Sequence, residues 1–198
     1  MMFSKLSSAR LLALPVILSL GACVSFGTKA PPSMLVLTAD NSVTAGAART
    51  AAATDALVIQ TPEVPRKLDT NRVPVQIDAS SIAYLKDAFW ADKPARLMQQ
   101  LLSETVSAKT GHLVLREVDA GGKAAQFISG SLLEFGVDAA TNEAVVVFDA
   151  VKITRGNPTA KRRFEARRPV AAVEAAPVGA ALNEAANEVA LQIAEWAD

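Results

Sequence analysis

The chain has 198 residues, about half of them hydrophobic, with 20 basic and 20 acidic residues, one cysteine and one histidine. A lone cysteine excludes an internal disulfide, and one Cys with one His is too few for a zinc site of the usual kind. Balanced charge argues against nucleic acid, whose partners usually carry a basic excess. No nucleic acid partner, cofactor or metal is therefore expected.

Residues 1–10, MMFSKLSSAR, hold Lys5 and Arg10 and no acid. Leu11 to Leu20 is apolar apart from Ser19, and Gly21 and Ala22 precede Cys23. A basic start, a short apolar run and small residues before a cleavage point predict a signal peptide over residues 1–22. The run is too short for a bilayer-spanning helix, which needs roughly 20 residues. Leu20-Gly21-Ala22-Cys23 looks like a bacterial lipobox, where the cysteine is acylated and becomes the new N-terminus. Cys23 is thus the expected lipidation site, with no second thiol to claim it. Each buried CH₂ contributes about 0.8 kcal/mol, so several acyl chains make a durable membrane anchor. Cleavage would leave 176 residues with 18 bases against 20 acids, a net charge of −2 and enough length for one domain. Val24 is not Asp, and in the enterobacterial sorting pattern that implies the outer membrane, with the protein on its periplasmic face.

Residues 23–33 read as a lipidated N-terminus and tether, and residues 34–198 as a single domain. Met34 to Thr38 reads as a short strand, and Asn41 to Ala56 as a surface loop. A strand follows in ALVIQTP, closed by Pro62 and Pro65. Val73, Val75 and Ile77 alternate as a half-buried strand should, and Pro74 places that strand at an edge or a bulge. The turn Asp78 to Ser81 leads to another strand from Ile82. Leu97, Met98, Leu101, Leu102 and Val106 form one helical stripe, with Pro94 in the first turn and Gly111 just past the end. HLVLREV reads as a strand.

Phe127, Leu133, Phe135 and Val137 share one parity, and Val145, Val147, Val151 and Ile153 another, across a turn at Ala139 to Asn142. With KRRFEARRPV these make an antiparallel meander. A last helix, from about Pro177 to Trp196, turns Val178, Leu182, Ala185, Val189, Ile193 and Trp196 to one side and leaves Asn187 off the stripe. The expected class is α/β, a mixed β-sheet with an antiparallel meander and helices packed on it.

Catalytic constellations are not legible. Gly121-Gly122 sits in a polar turn, and His112 reads as structural or solvent-facing. Asp69, Asp78, Asp87 and Asp92 are scattered through loops, and Asp92 is placed to cap the first helix. Trp90 reads as core. Lys161, Arg162, Arg163, Arg167 and Arg168 make a basic strand, either solvated and paired with acids such as Glu165 or presented to a partner or anionic headgroups.

LDTNRVPV, IAYLKDAFWADKPARLMQQLL, SGSLLEFGVDAATNEAVVVFDAVKITR and KRRFEARRPV, in that order and spacing, resemble the ABC-type transport auxiliary lipoproteins. That family includes components similar to the lipoprotein of the paraquat-inducible Pqi system. The resemblance implies a sheet with helices on both faces, similar to the N-terminal domain of TolB, and no catalytic residues. It also implies an ABC permease and ATPase and an MCE-type substrate-binding protein as partners, moving lipids or other hydrophobic molecules between membranes, and a homo-oligomer. Function would then lie in docking, for which Asp69 and Arg72 in LDTNR and Arg163 and Arg167 in the basic strand are the candidates. The alternative is a structural lipoprotein that helps an outer-membrane complex assemble without transport.

Overall fold

The computed structural model describes residues 33–198. The signal peptide, Cys23 and all of the tether but Ser33 lie outside the described residues. Seven strands run in chain order: β1 (Leu57–Ile59), β2 (Arg72–Gln76), β3 (Ile82–Phe89), β4 (Val114–Leu115), β5 (Gln126–Asp138), β6 (Glu143–Thr154) and β7 (Ala160–Pro169). Two long helices, α1 (Pro94–Thr110) and α3 (Ala175–Ala197), and the one-turn α2 (Glu117–Ala120) complete the domain. Among the described residues no helix is long and apolar enough to cross a membrane.

β5 organises one mixed sheet. One edge pairs antiparallel with β6 along its whole length, and β7 pairs antiparallel with β6. The other edge is divided. Its start pairs parallel with β1, and its end pairs parallel with β2. Glu63 bridges the gap, its N–H donating to the Gly130 carbonyl and its carbonyl accepting from the Leu132 N–H, both at 2.9 Å. β4 extends the sheet beyond β1, and β3 beyond β2.

A bulge in β5 corrects the parity read from the sequence. Pairing steps from Leu132 opposite Phe148 to Glu134 opposite Val147, so Leu133 is an extra residue. Side chains alternate with period two, and one inserted residue exchanges the faces beyond it. Ile128 and Leu132 therefore enter the main core before the bulge, and Phe135 and Val137 after it. Phe127 packs instead in a small cluster with Val58, Ala120 and Ala124. In β6 the main core takes Ala144, Val146, Phe148 and Ala150, not the odd-numbered set expected.

α1 and α3 lie against each other on one face of the sheet, and α2 contributes only Ala120 to the small second cluster. The implied helices on both faces are present unequally: both long helices lie on one face, and only the one-turn α2 lies on the other, over Val58 and Phe127. α1 begins with Pro94 and ends on left-handed Gly111 (φ 76°), as its sequence predicts. Asp92 does not cap it. Lys93 stands at the cap without a side-chain bond, and Asp92 pairs with Arg96 at 3.0 Å. HLVLREV yields only the two-residue β4 before α2. Trp90 is core, its ring 5.0 Å from Phe135.

The expected strand at Met34 to Thr38 is a single bridge, Leu35 to Trp90. From there the chain runs as a strap over the helix layer. Leu35 packs on Gly179, the Thr38 N–H donates to Asn183 Oδ1 at 2.8 Å, and the Val43 N–H donates to Glu104 Oε1 at 2.6 Å. Farther along, the Arg49 guanidinium donates to Ser107 and to the His112 carbonyl. Asn187 is central and buried, only 5% exposed, contrary to its reading as an off-stripe surface residue. Its amide donates to the carbonyls of Thr38 and Asn183, and its Oδ1 accepts from the Asp40 N–H at 2.8 Å. An apolar stripe does not reveal a polar residue that is buried by a strap.

Two substitutions test this packing. Leu182→Asp buries an unpaired charge in the main core and should cost several kcal/mol. Asn187→Asp removes both donors to carbonyls and sets a carboxylate against them, and should cost about 1–3 kcal/mol. Denaturant midpoints read both, and an Asn187→Asp midpoint equal to wild type would show that the strap is not held there.

Candidate docking surface

The sheet face turned away from α1 and α3 carries charged ladders. In register, Tyr84 stands opposite Pro74, Gly136 opposite Val145, and Val145 opposite Arg167. Arg72, two residues before Pro74, lays its guanidinium 4.7 Å over the Tyr84 ring. Pro74, Gly136, Val145 and Arg167 floor a cleft of about 660 Å³, which Gln76, Ile77 and Glu134 among others also line. Gly136 is required there, because a Cβ would overlap the Pro74 carbonyl oxygen. Ile77 lines the cleft with its side chain exposed, in the turn between β2 and β3.

Ion pairs cover the rest of this face. Lys67 binds Glu134 at 2.5 Å. Arg167 holds Glu165 at 2.7 Å and reaches Glu143 at 3.4 Å. Arg163 grips Asp149 with two bonds, at 2.6 and 2.9 Å, and Lys161 adds a third at 3.2 Å. Asp149 is 8% exposed, the one carboxylate buried among the described residues. The hydrogen bond from Arg163 and those from Lys161 outweigh the cost of burial and lower its pKa from 3.8 to about 2. On the opposite side of β7, Arg168 pairs with Glu184 and Glu188 of α3, and Arg162 lies 5.0 Å over the Phe164 ring. The basic strand is thus largely paired within the fold, as the solvated reading has it.

Three of the four expected docking residues share this face: Arg72, Arg163 and Arg167. Asp69 does not join them. It pairs with Lys93 at the start of α1 at 2.6 Å, a contact that lowers its pKa. Within LDTNR, Asn71 also works internally, donating to the Trp90 carbonyl at 3.1 Å. Arg72 alone of the four has no oppositely charged partner among the described residues. Asp149, Lys67, Glu134 and Gly136 were not singled out from the sequence. Asp149 was legible in principle: an acid inside an apolar strand falls opposite Arg163 when the hairpin is folded about Gly156. His112 places its Nδ1 2.9 Å from Thr110 Oγ1. No group of three or more His, Cys, Asp or Glu among the described residues could hold a metal.

Asp149 links this face to acid stability. Its folded pKa is lowered, so its contribution is complete above the ordinary value near 3.8 and is lost as pH falls through about 2. The full shift corresponds to between about 2 and 3 kcal/mol, reduced by solvent around the exposed cations. Arg163→Gln should weaken the fold at neutral pH and move the acid loss upward, read from thermal midpoints between pH 5 and 2. An unchanged acid limb would show that the pair carries no stability. Gly136→Ala should cost about 1–3 kcal/mol by forcing β2 away from β5, while Gly156→Ala, in an open turn, strains only its own left-handed backbone.

The fold has solved counterparts. A crystal structure of a DUF330-family protein from Xanthomonas campestris aligns with a TM-score of 0.64 at 19% identity, covering 71% of this chain and 82% of that one. A second, of an uncharacterized protein, aligns with a TM-score of 0.63 at 15% identity, covering 73% and 94%. At such identities the likeness shows the fold alone. None of the curated proteins compared with the chain matches it. The family model for the ABC-type transport auxiliary lipoprotein component matches residues 36–194, so it spans the strap, the sheet and both long helices. On that match, the chain belongs to the ABC-type transport auxiliary lipoprotein family.

Proposed function

We propose that this protein is the outer-membrane-anchored lipoprotein of an MCE-linked ABC transport system that moves lipids or other hydrophobic molecules between membranes. Acylated Cys23 holds it at the periplasmic face, and the domain acts by docking and assembly, without catalysis. The observation that carries the docking role is the sheet face turned away from α1 and α3, where Pro74, Gly136 and Arg167 line an open cleft and Arg72 lies exposed over Tyr84. Arg72, Arg163 and Arg167 supply the charge an acidic partner surface would meet, and Asp69, paired with Lys93, is the fourth candidate away from them. Support for an association with an ABC system comes from the family. A homo-oligomer fits β7, a ten-residue edge strand whose outer side is unpaired among the described strands. Its basic side chains would limit indiscriminate pairing of that edge.

The anchor is tested by Cys23→Ala, which should release a soluble or unprocessed protein, and by mass spectrometry showing a diacylglyceryl-modified Cys23 in the wild type. Docking is tested by affinity capture with the full acylated chain. An MCE-type protein should be recovered with the ABC permease and ATPase, and raised salt should weaken the capture, since screening acts over about 8 Å at physiological ionic strength. Arg72→Glu is the clean charge reversal. Arg163→Glu and Arg167→Glu would set like charges against Asp149 and Glu165 and disturb the fold itself. Recovery of an outer-membrane complex without ABC or MCE components would put the structural-lipoprotein reading in its place.

A further inference from the structure

We infer that the end of the domain where α3 begins carries an apolar patch that lies on the lipid bilayer, making the protein a surface-apposed body and not one held off the membrane. The inference rests on the anchoring of Cys23. Among the described residues six large hydrophobic side chains are exposed, and three of them belong to this end: Met34 (56%), Val36 (57%) and Val173 (36%). Met34 and Val36 alternate with Leu35 and Leu37, which pack inward against the core. Leu35 is seated on Gly179 in the first turns of α3, so its outward neighbours stand beside that helix start. Val173 precedes α3 by two residues, and Ala176 and Ala180 expose small side chains from its beginning.

Charge is almost absent from both contributing segments. Residues 30–39 contain none, and residues 169–183 contain only Glu174. The sheet face turned away from the long helices is, by contrast, laced with ion pairs. The chain length then names the occupant. Eleven peptide units separate Cys23 from Met34, so Met34 can never be more than ~40 Å from the acylated residue. Among the described residues, no exposed large apolar side chain outside this patch is so near in sequence to the anchor. A second copy or a partner protein could cover such a patch, but only the bilayer is bound to be within reach of it. With no cations in the patch, attraction comes from burial of apolar surface at the headgroup boundary. Binding should therefore tolerate zwitterionic lipid and salt, unlike docking through the basic strand.

The test uses the full acylated chain reconstituted in phosphatidylethanolamine–phosphatidylcholine vesicles containing brominated acyl chains. Cys23 is the sole native cysteine, and acylation blocks its thiol. Each of the single variants Val36→Cys, Val173→Cys and Ile77→Cys thus takes a polarity-sensitive fluorophore without a competing site. Probes at 36 and 173 should shift to the blue and be quenched at least about twofold more by brominated lipid than the probe at 77, with no loss in raised salt. Equal quenching at all three positions overturns the patch, as does protection of 36 and 173 by contact with another protein chain. Mass spectrometry of the same preparation separates the causes. An unmodified Cys23 brings down anchor and patch together, whereas an acylated chain with unquenched probes brings down the patch alone.

Discussion

The fold depends on one long strand serving two short partners. β5 has thirteen residues, and β1 and β2 have three and five. Neither short strand could set its own register, because so few backbone bonds do not offset the entropy of closing the loops between them. β6 fixes β5 along its full length, and β5 then templates β1 at its start and β2 at its end. The bulge at Leu133 lets the strand keep core residues on the helix side over its entire length while it twists. Without it, Phe135 and Val137 would exchange faces with Glu134 and Gly136, and the core and the cleft floor would be lost together.

That arrangement explains why the two faces differ so sharply. The helix side is aliphatic and closed, built mainly from alanine, valine and leucine because aromatic residues are few. On the other side β6 still presents Val145 and Val147, both buried, beside Arg167 and Glu165 of β7. Long charged side chains cover such residues with their stems and keep their heads in water. Pairing Lys67, Arg163 and Arg167 with carboxylates keeps that cover ordered. A face built in this way can meet a partner without exposing an apolar sheet when the partner is absent. Arg72, resting on a ring and not on an acid, is the position where a partner's carboxylate would displace least.

The strap ties the N-terminal side of the chain to the layer of helices. Asn183, Asn187, Glu104 and Ser107 spread its attachment over both α1 and α3, so a pull from a membrane anchor would be shared by several hydrogen bonds and the Leu35 contact. The strap meets the helix layer beside the first turns of α3, on the side of the sheet away from the charged face.

Local pattern alone determined a good deal. The stripes and ends of α1 and α3, the loop over residues 41–56 and the β5–β6–β7 meander all follow from spacing, capping and turn residues. These are properties of neighbours in sequence. The family resemblance was carried by the same stretches. What only the tertiary structure decided is everything that depends on residues far apart. The bulge at Leu133 adds one residue without any composition signal, so the parity of β5 and the inward side of β6 were misread. Asn187 was read as a surface residue because the strap that buries it lies about 147 positions away. The strand expected at Met34 shrank to a bridge because no partner edge runs beside it beyond Trp90. The docking residues divided in the same way: charge and exposure were visible in the sequence, but their partners were not. Whether an arginine is free or committed depends on which carboxylate the folded backbone brings within reach, and pairing across a sheet is set by register, not by proximity along the chain.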